Sequence, residues 1–244
     1  MDGNGRWAAA RGLERWEGHR AGMTAVRETI EAAVEAGVRH LTMFAFSDAN
    51  WSRPRSEIAA LMDLLVEYVQ RERHEMSRRG VRVTVFGDRA KLPARARGAI
   101  KIIERDTQGG DTLEAHFAIS YGSRNEIVHA TRRLARQVRA GDLKPEEISR
   151  EVLSREMWTG QWPDPDLLIR TSGERRLSDF LLWQLAYAEL YTVDTLWPDF
   201  RREHFHEAVR DFRMRERRFG GVATRAPVGT AGADSDPHQD TLPG

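Results

Sequence analysis

Cysteine is absent from this 244-residue chain, so neither a disulfide nor a thiolate metal site is open to it. Long apolar runs are missing too. No stretch approaches the roughly 20 residues of a membrane-spanning helix, and the opening MDGNGRW is too polar for a signal peptide. Those two absences lead to the expectation of a soluble, cytoplasmic protein. Excess charge of one sign is lacking: 38 Lys and Arg stand against 37 Asp and Glu, a formal net charge of +1. A whole-molecule basic field for nucleic acid is therefore not indicated, and anion binding has to come from local clusters. What remains is an ordinary globular composition, 40% hydrophobic and 31% charged, in a length that suits one domain with a sizeable core.

Apolar periodicity alternates between helix and strand. Residues 24–36 read as a helix stopped by Gly37, followed by the strand-like VRHLTMFAF. After the polar loop SDANWSRPR, Ser56 opens a long helix to about Arg79, with Ile58, Leu61, Met62, Leu65 and Val69 on one face. VRVTVFG is the next strand, 93–107 a helix, LEAHFAIS a strand and 123–139 a helix. DLLIRTSG reads as a strand entering a loop, SDFLLWQLAYAEL as an apolar helix, and 200–217 as a charged terminal helix. The order predicts an α/β fold, a mostly parallel central sheet flanked by helices, with ligands at the carboxyl ends of the strands. From about Val222 the apolar period is lost among Gly, Ala, Pro, Asp and Ser, so residues 223–244 are expected to form a disordered tail behind a domain of residues 1–222.

Three polar clusters carry possible chemistry. In MDGNGRW, two glycines allow a tight turn, Arg6 suits phosphate oxygens and Asp2 is a hard ligand of the type magnesium takes beside a diphosphate. SDANWSRPR offers Ser47 and Asn50 as hydrogen-bonding groups, Trp51 as a wall and Arg53 as a charge. RTSGERRLSDF sets Arg170, Arg176 and Ser178 within nine positions, enough to hold a diphosphate by several charge-assisted bonds. Glu189, in the apolar LAYAELY, needs a metal, an arginine or a wet cleft. Taken singly, each has a plainer reading: a turn, a helix cap, a solvated basic loop, and for His19 a satisfied surface histidine.

Together, and in register, MDGNGRWA, RWEGHRAG, FAFSDANWSRP, ISYGSR, DLLIRTSGERRLSDFLLWQLAYAELY, LWPDF and RERRFGG resemble the cis-prenyltransferase family over residues 1–221, most closely its bacterial undecaprenyl diphosphate synthase branch. The resemblance implies a sheet-and-helix domain with an apolar tunnel, Mg2+ as cofactor, isopentenyl diphosphate and an allylic diphosphate as substrates, and a homodimer. It also implies that Asp2 and Glu189 hold the metal, and that Gly3, Asn4, Gly5 and Arg6 cradle the allylic diphosphate beside Trp7, Arg15 and His19. Ser47, Asp48, Ala49, Trp51 and Arg53 are expected to close over the substrates. Arg170, Arg176, Leu177 and Ser178 are expected to grip isopentenyl diphosphate. Asn50 falls at the family's nominal proton-acceptor position, where an amide orients a relay rather than acting as a base. Arg218 and Gly220 match a motif that reaches the neighbouring subunit.

This chain departs from the family pattern in three ways. The family's short apolar strand before MDGN has no counterpart, the SDAN loop carries Ala49 in place of a larger polar residue and adds the negative charge of Asp48 near anionic substrates, and residues 223–244 have no family counterpart. Small and medium side chains, Ala45 among them, leave room for a long polyprenyl product, which would draw the enzyme to a membrane surface. Two other readings compete: a non-catalytic partner subunit, mildly favoured by the absent strand, and a nucleic-acid binder using RTSGERR, disfavoured by the near-neutral charge.

Overall fold

The computed structural model describes residues 1–215. Arg218, Gly220 and the expected tail lie outside them. The first three strands, β1 (His40–Ser47), β2 (Val81–Phe86) and β3 (Leu113–Tyr121), form one parallel sheet in the order β1-β3-β2. β3 is central and almost wholly buried, as its position between two strands and two helical layers demands. A second parallel pair joins β4 (Leu167–Arg170) to β5 (Glu189–Thr192). Among the described residues every strand pairing is parallel, as the alternating pattern predicts.

Helices cover both sheets. After the short α1 (Asn4–Ala9) come α2 (Arg15–Glu35), α3 (Arg55–Arg78), α4 (Ala94–Asp106), α5 (Ser123–Ala140), α6 (Arg150–Glu156) and α7 (Arg202–Met214). The main core packs α2, α3 and α4 against the sheet through residues such as Ile30, Val69, Ile100 and Phe117. Among the described residues no helix is long and apolar enough to cross a membrane.

Three expectations need correction. MDGNGRW is not all turn, because residues 4–9 wind into α1. The helix expected at 24–36 starts nine residues earlier, at Arg15, with the Glu17 carboxylate accepting from the Glu14 N–H to cap it. SDFLLWQLAYAEL is not a helix at all. Ser178, Asp179 and Leu181 have positive φ, and the start of α5 pins the segment. Asp179 accepts from the Arg124 N–H, and Ser123 Oγ from the Leu182 N–H. Phe180, Leu181 and Leu185 are buried while Tyr187 and Leu190 are exposed, with no helical backbone to set a period, and Glu189 opens β5 instead of riding a helix.

Candidate active site

Asp2 sits where three chain segments meet. Its carbonyl accepts from the Trp197 N–H, Thr171 Oγ1 and Ser172 Oγ at 2.9, 2.9 and 2.6 Å, and its own N–H donates to Thr171 Oγ1. The backbone turns at Gly3, where φ of 104° is a region a side chain rarely tolerates and an added Cβ would strike Ser172 Oγ. Held in this way, the Asp2 carboxylate accepts from Gly3 N–H at 2.9 Å and from Arg170 at 3.1 Å. Burial opposes its ionisation, but the Arg170 bond, the Met1 α-amino charge and the Gly3 N–H outweigh that and set its pKa below the usual carboxylate range.

The RWEGHRAG segment explains why α1 lies so close. Gly18 and Gly22, one helical turn apart, leave α2 bare where Asn4 and Trp197 press on it. Trp197 in turn donates to the Gly22 carbonyl, while Trp7 Nε1 donates to Asp199. LWPDF therefore clamps the first turn against α2.

Around Asp2, arginines are held by carboxylates that the sequence reading did not single out. Glu57 bonds both Arg15 and Arg53, at 3.3 and 3.0 Å. Glu174 bonds Arg6 at 3.0 Å and also pairs with Arg176. Arg170 bridges Asp2 and Ser178 Oγ. Five guanidiniums against three carboxylates leave this end of the molecule net positive. Glu57 follows Arg53 by four residues and Glu174 follows Arg170 by four, which is the only sequence signal they give.

Asp2, the five arginines and Ser178 line one cavity of about 1160 Å³. Its polar end carries Asp2, Gly3, Asn4, Gly5, Arg6, Arg15 and His19, with Ser47, Ala49, Asn50 and Arg53 on one side and Arg170, Arg176, Leu177 and Ser178 on the other. Its deeper wall is largely apolar, with Met23, Val26, Leu61, Leu65, Val69 and Ile100 from α2, α3 and α4. Consecutive residues of β1 and of β4 line it, so it runs along the edges of the two sheets and not merely over one face. His19 is half-buried in its wall, with its Nε2 buried and unpartnered. Burial, aided by Arg53 and Arg15 and opposed by Glu57, drops its pKa to about 4. It is therefore a neutral imidazole at ordinary pH.

Asn50 closes the 3₁₀ turn Asp48–Ser52, and its side-chain oxygen accepts from the Ser47 N–H at 3.0 Å. With that oxygen engaged, its NH2 is the group left to offer.

Four expected site residues do not line the cavity. Trp7 faces Asp199, and Trp51 donates to Ser120 Oγ and packs on Phe46. Asp48 turns outward to Lys91 and Asn125, which removes its charge from the anion-binding end. Glu189 pairs with Arg215 at 2.9 Å and lies beside Leu167 in the register, three residues from the Arg170 end of the pair. Outside the cavity and held by Arg215, Glu189 is not gathered with Asp2 in this structure. The donor set at Asp2, one ionised and partly exposed carboxylate, does fit magnesium, which takes one or two carboxylates and fills the rest of its shell with water and phosphate oxygens.

The family described as "Putative undecaprenyl diphosphate synthase" matches residues 1–220. This chain belongs to that family. It is 51% identical to an isoprenyl transferase of Brucella abortus over 226 residues, 93% of this chain and 89% of the relative. An isoprenyl transferase of Agrobacterium fabrum is 48% identical, over 95% of this chain and 94% of its own length. Among solved structures, lavandulyl diphosphate synthase from Lavandula x intermedia, in complex with dimethylallyl diphosphate, superposes with a TM-score of 0.88 at 33% identity, covering 90% of this chain and 95% of that one. A "probable undecaprenyl diphosphate synthase" from Campylobacter jejuni gives a TM-score of 0.73 at 34% identity, covering 82% and 92%. The cis-prenyltransferase family thus accounts for the parallel sheet and for the cavity it borders.

Proposed function

We propose that this family member condenses isopentenyl diphosphate with an allylic diphosphate, farnesyl diphosphate being the expected primer, and releases a long polyprenyl diphosphate that serves as precursor of a glycan carrier lipid. The observation that carries the reading is a single cavity with an arginine-rich, carboxylate-bearing mouth and an apolar interior. Two diphosphates match the mouth, and a growing isoprenoid matches the wall. At about 1160 Å³ the space lies above the usual range of small-ligand pockets, about 300–1,000 Å³.

Gly3, Asn4, Gly5 and Arg6 cradle the allylic diphosphate, with Arg15 and Arg53 adding charge at its rim and His19 a neutral hydrogen bond. Arg170, Arg176 and Ser178 hold isopentenyl diphosphate, and Leu177 packs beside its chain. Asp2 is the protein ligand for Mg2+. Bound there, Mg2+ would supply charge neutralisation for the diphosphate that leaves as the allylic C–O bond breaks. The arginines stabilise the same charge as it develops. The double bond of isopentenyl diphosphate then forms the new C–C bond, and one proton leaves the adjoining carbon. Asn50, an amide and so not a base, donates from its NH2 to orient the diphosphate that takes this proton. The reading further takes the enzyme to be a cytoplasmic homodimer that its lipid product draws toward a membrane surface.

The test is incorporation of labelled isopentenyl diphosphate by the purified chain, with farnesyl diphosphate and Mg2+, followed by chromatography of the products. Elongated products that vanish with EDTA and in Asp2→Ala are expected. Background incorporation by the folded wild-type chain overturns the proposal, and products stopping after one or two additions overturn its length assignment.

A further inference from the structure

Far from Asp2, the sheet register brings together a second set of ligand-type side chains. In one cross-strand row His40 of β1 stands opposite Glu114 of β3, which stands opposite Arg82 of β2. Two residues on, Thr42, His116 and Thr84 form the next row. Residues two apart share a face, so His40, Glu114 and His116 project from the same side of the sheet. Their ligand atoms all lie within 4.8 Å of one another. This is the start of β1, seven residues or about 23 Å along the strand from Ser47, so it is distinct from the diphosphate end.

We propose that His40, Glu114 and His116 form a binding site for a borderline transition-metal dication, with Zn2+ as its representative. His40 Nδ1 and His116 Nε2 are 3.3 Å apart, the spacing of two imidazole nitrogens sharing a tetrahedral ion at about 2.0–2.1 Å from each. Two imidazoles and one carboxylate favour zinc and its neighbours over magnesium, which prefers oxygen alone. The outer shell is also present. His116 Nδ1 lies 2.6 Å from Thr84 Oγ1. With Nδ1–H donating to that hydroxyl, the Nε2 lone pair is left for a metal. Trp162 stacks on the His116 ring at 3.9 Å between centroids and fixes its plane. Glu114 supplies the one negative charge of these six residues, and its backbone is pinned by a bond from its N–H to the Arg39 carbonyl. Exposed His40 gives an ion its way in, while His116 is buried. His40 and His116 both line the large cavity, so an occupied site forms part of its far wall. The site is independent of the prenyl-transfer reading, because it shares no ligand with the Asp2 end.

Calorimetric titration of the untagged, metal-stripped full chain with Zn2+ in excess Mg2+ tests this, with Co2+ visible absorption as a second readout. One equivalent bound is expected, with nitrogen-ligand d–d bands for Co2+. His40→Gln and Glu114→Gln, both at solvent-reachable positions, should weaken binding by about tenfold or more, and Thr84→Val by about tenfold through the lost outer-shell bond. Asp2→Asn should leave it unchanged. Absence of binding by the folded wild type, binding indifferent to both His40→Gln and Glu114→Gln, or binding abolished by Asp2→Asn would each overturn the assignment.

Discussion

Replacing Gly18 by alanine places one methyl group where α2 meets the first turn. The new Cβ would sit 2.1 Å from the Asn4 carbonyl oxygen and 3.2 Å from Ala8 Cβ. Cβ contacts below 3.0 Å are essentially never seen, so the contact must open by about 0.9 Å, and the obstacle is backbone rather than a flexible side-chain end. Helix propensity gains about 1 kcal/mol from Gly to Ala, whereas overpacking costs about 1–3 kcal/mol. The net result is a loss of up to about 2 kcal/mol. Activity should suffer more, because Asn4 is two residues from Asp2, and a displacement near 1 Å at a positioning residue costs about 10²-fold in rate. The assay is isopentenyl incorporation at a temperature where circular dichroism shows the variant folded, beside thermal unfolding. Gly98→Ala is the control: it lies in α4 with nothing within 4 Å of its added Cβ, so it should gain about 0.5–1 kcal/mol and keep full activity. A folded Gly18→Ala protein with turnover within twofold of wild type would refute the claim that this contact positions Asp2.

Arg170 bonds Asp2 and Ser178 from one guanidinium nitrogen, which leaves the other for a substrate oxygen. Arg170→Lys retains the charge on a shorter stem without that second nitrogen, so KM for isopentenyl diphosphate should rise about tenfold with little change in unfolding temperature; steady-state kinetics decides. Glu126 is fully buried and accepts from Tyr121, Thr159 and Gln184. Glu126→Leu strands those donors and should cost about 3 kcal/mol or more in urea unfolding. His19 has a native pKa near 4 against about 6.5 when unfolded. The unfolded chain therefore binds the proton first, and stability falls as pH drops from about 6.5 towards 4, by at most about 3 kcal/mol from this residue. Unfolding midpoints across that range should show a shallower slope in His19→Gln, and an identical slope would count against a buried neutral imidazole.

Much of this molecule is legible along the chain. Alternating periods of two and 3.6 announce parallel strands and covering helices, because each element must bury one face. Side-chain chemistry marks Arg170, Arg176 and Ser178 as partners for phosphate and Asp2 as a ligand for a hard cation, and the cavity brings all four to one end. Local pattern misleads where distant groups override it. The apolar SDFLLWQLAYAEL reads as a helix, yet the α5 start fixes it as a chain of turns and hands Glu189 to β5 and Arg215. Likewise the loop residue Asp48 looks like a charge among the substrates until Lys91, 43 positions on, draws it away.

Composition and motif order alone determined the fold class and the family, since both depend on periodicity and on residue types kept in sequence. Only the tertiary structure decided which carboxylates hold which arginines, that Gly18 and Gly22 exist to admit Asn4 and Trp197, and that His40, Glu114 and His116 share a face. Those pairings join residues far apart in the chain. Their geometry is set by packing and sheet register, which no single stretch of sequence contains.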